Sequence, residues 1–127
     1  MSDENELKVL NWGRNDMMDQ TSFQTTAHKL ECLAEIYRQG QASEVLDKTL
    51  DKLFDYEAET CRSQILEVEN DLSGFEKKYG KFSDDFYRSF QAGKAGDSMD
   101  FVEWASIIQM IQRLKKRLSL LTIKKSA

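Results

Sequence analysis

The longest ordered run of hydrophobic spacing lies between Ser43 and Tyr79. Leu46, Leu50, Leu53, Cys61, Ile65, Val68, Leu72, Phe75 and Tyr79 recur mostly three and four residues apart. That spacing gathers side chains on one side of an α-helix and leaves the other side to water. Ser43 is placed to cap the helix, because its hydroxyl can accept from a free N–H of the first turn. Glu44 and Asp47 sit where the helix dipole favours anions. Gly80 predicts the stop, and the chain contains no proline to force an earlier break. Gly74 is the one weak point, at a cost of about 1 kcal/mol relative to alanine. A helix of this length cannot bury its stripe alone. It needs other segments, or a second copy of itself, along its length.

A second stripe follows Asp100, which reads as an N-cap. Phe101, Trp104, Ile107, Ile108, Ile111, Leu114, Leu118 and Leu121 recur with a period near 3.5, which suits a coiled-coil-like seam. Between the stripes, Ser83 is expected to cap a short helix through Gln91. Phe82, Phe86, Tyr87 and Phe90 make its aromatic cluster, and Gly93 ends it. The expected arrangement is a hairpin, with the last helix antiparallel to residues 58–79 and the aromatic helix closing its open end.

Upstream, Leu30, Leu33, Ala34 and Tyr37 predict a helix over Ala27 to Gln39, ended by Gly40. Before it, Gln20 to Thr26 reads QTSFQTT. Threonine around a central aromatic predicts a short β-strand. Thr21, Phe23 and Thr25 would share one face, and Gln20, Ser22, Gln24 and Thr26 the other. A lone strand is unstable, so it would pair with its own copy. Residues 1–19 lack a sustained period and read as a flexible arm.

The order strand, helix, glycine turn, helix resembles the ribbon-helix-helix unit, a β-ribbon DNA-binding dimer. QTSFQTT, LECLAEIYRQG and ASEVLDKTLDKLFDYE carry the resemblance, the last being similar to the second-helix signature of ribbon-helix-helix antitoxins. The resemblance implies a mainly α protein in three parts: the arm, a dimerisation and candidate DNA-binding unit over 20–57, and a partner-binding helical hairpin over 58–127. It implies that Ser22 and Gln24 read bases, with Gln20 and Thr26 flanking. The N–H groups near Ser43 would hold a phosphate. Phe23, Leu30, Leu33, Leu46 and Leu50 would form the dimer core. The strand departs from the family in lacking an outward arginine or lysine, the commonest major-groove reader. The stretch from Phe75 to Trp104 also resembles small helical prokaryotic proteins associated with toxin–antitoxin gene pairs.

Composition narrows the chemistry. Of 127 residues, 40% are hydrophobic and 31% charged, a balance that suits helices with long solvated faces. The acidic start MSDENE is not signal-like and no run reaches membrane-spanning length, so the expected location is the cytoplasm. Cys32 and Cys61 are then expected as reduced thiols. The net charge of −4 is uneven. Residues 43–79 carry ten acids against five bases, whereas Arg113, Lys115, Lys116, Arg117, Lys124 and Lys125 make the end basic. The basic end complements the acidic helix or binds nucleic acid. Asp97, Asp100 and Glu103 are explained as first-turn acids. The single His28 lacks partners at a catalytic spacing, and no phosphate-loop or zinc pattern occurs. No enzyme activity, metal or cofactor is expected.

Two functions stay open. One is a dimeric regulator of antitoxin type, whose C-terminal helices neutralise a toxin-like protein and whose N-terminal unit holds double-stranded operator DNA. The other is a structural or adaptor helical protein that dimerises and binds a protein partner without DNA.

Overall fold

A computed structural model describes residues 20–123. They form four helices: α1 over Gln20–Arg38, α2 over Glu44–Tyr79, α3 over Ser83–Gln91 and α4 over Met99–Leu121. The chain divides into two compact units, with the boundary between Asp47 and Lys48.

The first unit holds α1, the turn after it and the opening of α2. Gly40 takes φ +69°, a left-handed conformation that side-chain-bearing residues rarely adopt. It lets the N–H groups of Gln39, Gly40 and Gln41 reach back to the last carbonyls of α1. Ser43 caps α2, its Oγ accepting from the Leu46 N–H at 3.0 Å. The Tyr37 hydroxyl donates to Asp47 at 3.1 Å.

The second unit is an antiparallel pair, α2 from Lys48 onward with α4, closed by α3. Three contacts give the register: Lys78 with Asp100, the Cys61 thiol donating to the Leu114 carbonyl at 3.2 Å, and Arg117 with Glu57 at 2.9 Å. Near the middle of the pair, Cys61, Ile65, Val68 and Ile111 are buried, with Leu72, Leu114 and Leu118 packed around them. Toward the other end, Phe86, Trp104, Ala105 and Ile108 make a second cluster. Trp104 is fully buried. Its ring lies 3.9 Å from that of Phe86, nearly parallel, and stacks on Phe75 and Tyr79 from the other helix. Its indole N–H donates to Ser83 Oγ at 3.0 Å, so this buried serine satisfies the buried indole donor.

Several expectations are corrected. Among the described residues there is no strand. Gln20 to Thr26 is the first part of α1, so the ribbon-helix-helix resemblance and the mainly α fold with an N-terminal ribbon do not hold. The physical reason is local. Thr25 returns its hydroxyl to the Thr21 carbonyl at 3.1 Å, the back-bond by which threonine is tolerated in a helix. Phe23, Thr26, Leu30, Leu33 and Tyr37 then fall on one stripe at steps of three and four. β-Propensity is context-dependent, and no strand of the described chain lies alongside to reward it. The caps of the later helices also differ. α3 has Phe82 at its N-cap, with no side-chain cap bond, and Glu76 Oε2 takes the Ser83 N–H at 2.8 Å. α4 is capped by Ser98 rather than Asp100. The expected arm over 1–19 lies outside the described residues.

Candidate interaction surfaces

The assigned DNA readers lose their common face. On a helix, residues two apart are separated by about 200°. Gln20 and Gln24 fall in one row of α1, and Ser22 and Thr26 in another. Ser22 is half-buried, whereas Gln24 and Thr26 are exposed. Ser43 spends its hydroxyl on the α2 cap. The set assigned to a ribbon is thus dispersed over a helix and a cap.

The assigned dimer core has a different fate. Phe23 and Leu33 are half-buried on α1, and Leu30 remains 54% exposed on the same stripe. Leu46 and Leu50 are half-buried on α2. Along α2 the stripe is continuous: Leu46, Leu50, Phe54, Ala58, Cys61, Ile65 and Val68 follow at steps of three or four. Its surroundings change abruptly. From Ala58 onward its members are buried in the second unit, whereas Leu53 and Phe54 stay 51% and 45% exposed. No residue from 21 to 57 is buried at all. Phe54 and Tyr56 were not singled out from the sequence. Phe54 could have been, because it stands four residues after Leu50 on the same stripe.

The second unit has surface features of its own. A cavity of about 480 Å³ opens between α2, α3 and α4, with Leu72, Ile108 and Ile111 as its floor and Glu69, Asp84 and Lys115 at its rim. Phe82, 74% exposed, stands beside it. A second cavity of about 540 Å³ lies beside Gly74, Phe75 and Ile107.

At the other side of the unit, Asp100 accepts from both Lys78 and Tyr79. The hydrogen bond from Lys78, then that from Tyr79, holds the Asp100 carboxyl below its ordinary range. The bond that each donates to Asp100 is the largest cause of the rise at Lys78 and at Tyr79. These groups form an exposed clamp between the end of α2 and the start of α4. Asp100 therefore has a structural role. Among the described residues, no group of three or more His, Cys, Asp or Glu side chains is arranged to hold a metal.

His28 lies 3.7 Å from Glu31 and 3.9 Å from the Cys32 sulfur, all three exposed on α1. Cys61, by contrast, is sealed in the core. Lys115 and Arg117 of the basic end meet Glu69 and Glu57 of α2. Among the described residues no helix is long and apolar enough to cross a membrane.

No protein-family model, curated protein or solved structure matches the chain.

Proposed function

We propose that the protein is a non-enzymatic helical adaptor. Residues 58–121 form a self-contained helical core, and residues 21–57 form a segment that binds another protein chain. The observation that supports this reading is the contrast in burial along α2. Isolated helices of ordinary composition are marginal in water, and most helical stability in proteins comes from packing an apolar face. Residues 21–57 have apolar stripes at helical spacing and no buried residue. A second chain laid on those stripes supplies the missing burial, in the manner of a helix received by an apolar groove.

Partner engagement by the C-terminal helices has one supporting feature. Phe82 occupies an N-cap position where serine or aspartate would stabilise α3 by about 1 kcal/mol more. It is exposed beside an apolar-floored cavity. An aromatic side chain in such a place is suited to anchor a protein partner.

Amide hydrogen exchange, resolved by segment and run at low micromolar concentration, tests the adaptor reading. Residues 21–57 should exchange much faster than the core of 58–121. Equal, slow exchange of both segments in a monomer would show that the N-terminal helices need no partner, and would remove the reading.

A further inference from the structure

We infer that the cavity between α2, α3 and α4 receives a basic amphipathic segment of another protein. The inference rests on the reading of Phe82 as a partner anchor and names the chemistry of that partner.

Three observations carry it. The first is the floor of the site, which lies wholly within the second unit. The cavity of about 480 Å³ falls in the range of roughly 300–1,000 Å³ usual for binding clefts. Ile111 belongs to one core cluster and Ile108 to the other, and Leu72 packs against both. The packing that makes the core therefore also makes the apolar floor, which stands ready before a partner arrives.

The second is Phe82. Glu76 takes the Ser83 N–H across the helix pair, so position 82 is released from side-chain capping. It presents an aromatic ring, 74% exposed, at the cavity edge. An apolar side chain of a partner placed between that ring and the floor would be covered on both sides.

The third is charge. Of the residues that line the cavity, Glu69, Glu76 and Asp84 are acidic and Lys115 alone is basic. Lys115 lies 3.8 Å from Glu69, both side chains exposed to water. The N-terminal dipole of α3 offsets about half a charge more, so the rim stays negative. A lysine or arginine suits both features of the site. Its methylene stem lies on the apolar floor while its charged head reaches the carboxylates. An amphipathic helix offers such side chains beside an apolar anchor. The protein's own residues 1–19 carry five carboxylates against two basic side chains, the wrong sign for this rim.

Titration calorimetry on the full chain, with the contact mapped by amide exchange, tests the inference. The probe is a helical peptide of about 18 residues with leucine on one face and lysine on the other. Two companion peptides carry glutamine or glutamate in place of lysine. The lysine peptide should bind at least about tenfold tighter than the glutamate peptide, and several-fold weaker when salt rises from about 0.1 to 0.5 M. It should slow exchange in the first turn of α3 and across 108–115. Phe82→Ala should weaken it by at least about fivefold. Glu69→Gln combined with Asp84→Asn should do the same, whereas Glu76 is left in place because it holds α3. All three substituted side chains are exposed, so an unchanged near-ultraviolet signal of the Trp104 cluster should show that the fold is intact. Equal binding of the glutamine and lysine peptides, both lost in Phe82→Ala, would reject the basic partner and leave the anchor. Binding indifferent to Phe82→Ala, or protection elsewhere on the chain, would overturn the site. Failure of every peptide at about 1 mM would reject both the anchor and the inference.

Discussion

Two stretches of one helix meet opposite surroundings. Leu46, Leu50 and Phe54 belong to the same stripe of α2 as Cys61, Ile65 and Val68, with the same spacing and similar side chains. The downstream members are buried in the core with α4, whereas Leu46 and Leu50 are half-buried and Phe54 is 45% exposed. Helical periodicity therefore tells where an apolar face lies but not what covers it. The aromatic content differs too. The second unit stacks Phe75, Tyr79 and Phe86 on Trp104, with Phe101 tilted beside them. Tyr37 is half-buried in the first unit and donates its hydroxyl to Asp47.

Damage to the core of the second unit should therefore be severe. Trp104→Ala removes the ring at the centre of the stack and should cost about 3–5 kcal/mol, measured by urea denaturation. Ser83→Ala is subtler. It leaves the Trp104 N–H buried without its acceptor, and should cost about 1–3 kcal/mol in the same assay.

On the other side of the comparison, Ser43→Ala removes the cap of α2, with an expected loss of about 1 kcal/mol. Its effect should appear as faster amide exchange in the first turns of α2 rather than in the Trp104 cluster. An equal effect on both regions would blur the contrast. Gly74→Ala has the opposite sign. A Cβ at Gly74 would meet nothing within 4 Å, so replacement should stabilise the second unit by up to about 1 kcal/mol.

The smallest effect concerns pH. Asp100, whose folded pKa is lowered from 3.8, contributes stability that is present above that value and lost as the pH falls through the lowered one. Lys78 and Tyr79, raised from 10.5 and 10.0, contribute stability present below those values and lost as the pH rises through the raised ones. All three are exposed, so the dependence should be shallow. Asp100→Asn should flatten the acid side of the stability profile.

How far the sequence could be read follows the same division. The partnership of the 58–79 stripe with 101–121 was legible, because two complementary stripes of matching length lie in one chain joined by a short connection. The charges helped: Glu57 and Glu69 of the acidic helix meet Arg117 and Lys115. The stop glycines were legible as well. Gly80, expected to end the long helix, takes φ +62° immediately after α2.

Gln20 to Thr26 was misread because threonine and a central phenylalanine favour strands on average, whereas the outcome depends on neighbours. The stripe that places Phe23 and Thr26 in register with Leu30 and Leu33 was the stronger signal. The cap of α3 was hidden because Glu76, seven residues upstream, does what Ser83 was expected to do. No local pattern announces that contact. Phe82 looked like core within an aromatic cluster, and only packing shows that its ring faces outward.

The central proposal is that residues 21–57 depend on another chain and the core of 58–121 does not. A urea titration of the monomer followed by circular dichroism tests it most directly. The far-ultraviolet helical signal should fall in two steps, the first at low urea while the near-ultraviolet signal of the stacked Trp104 cluster holds. Loss of both signals in one step, in a protein shown to be monomeric throughout, would contradict the account.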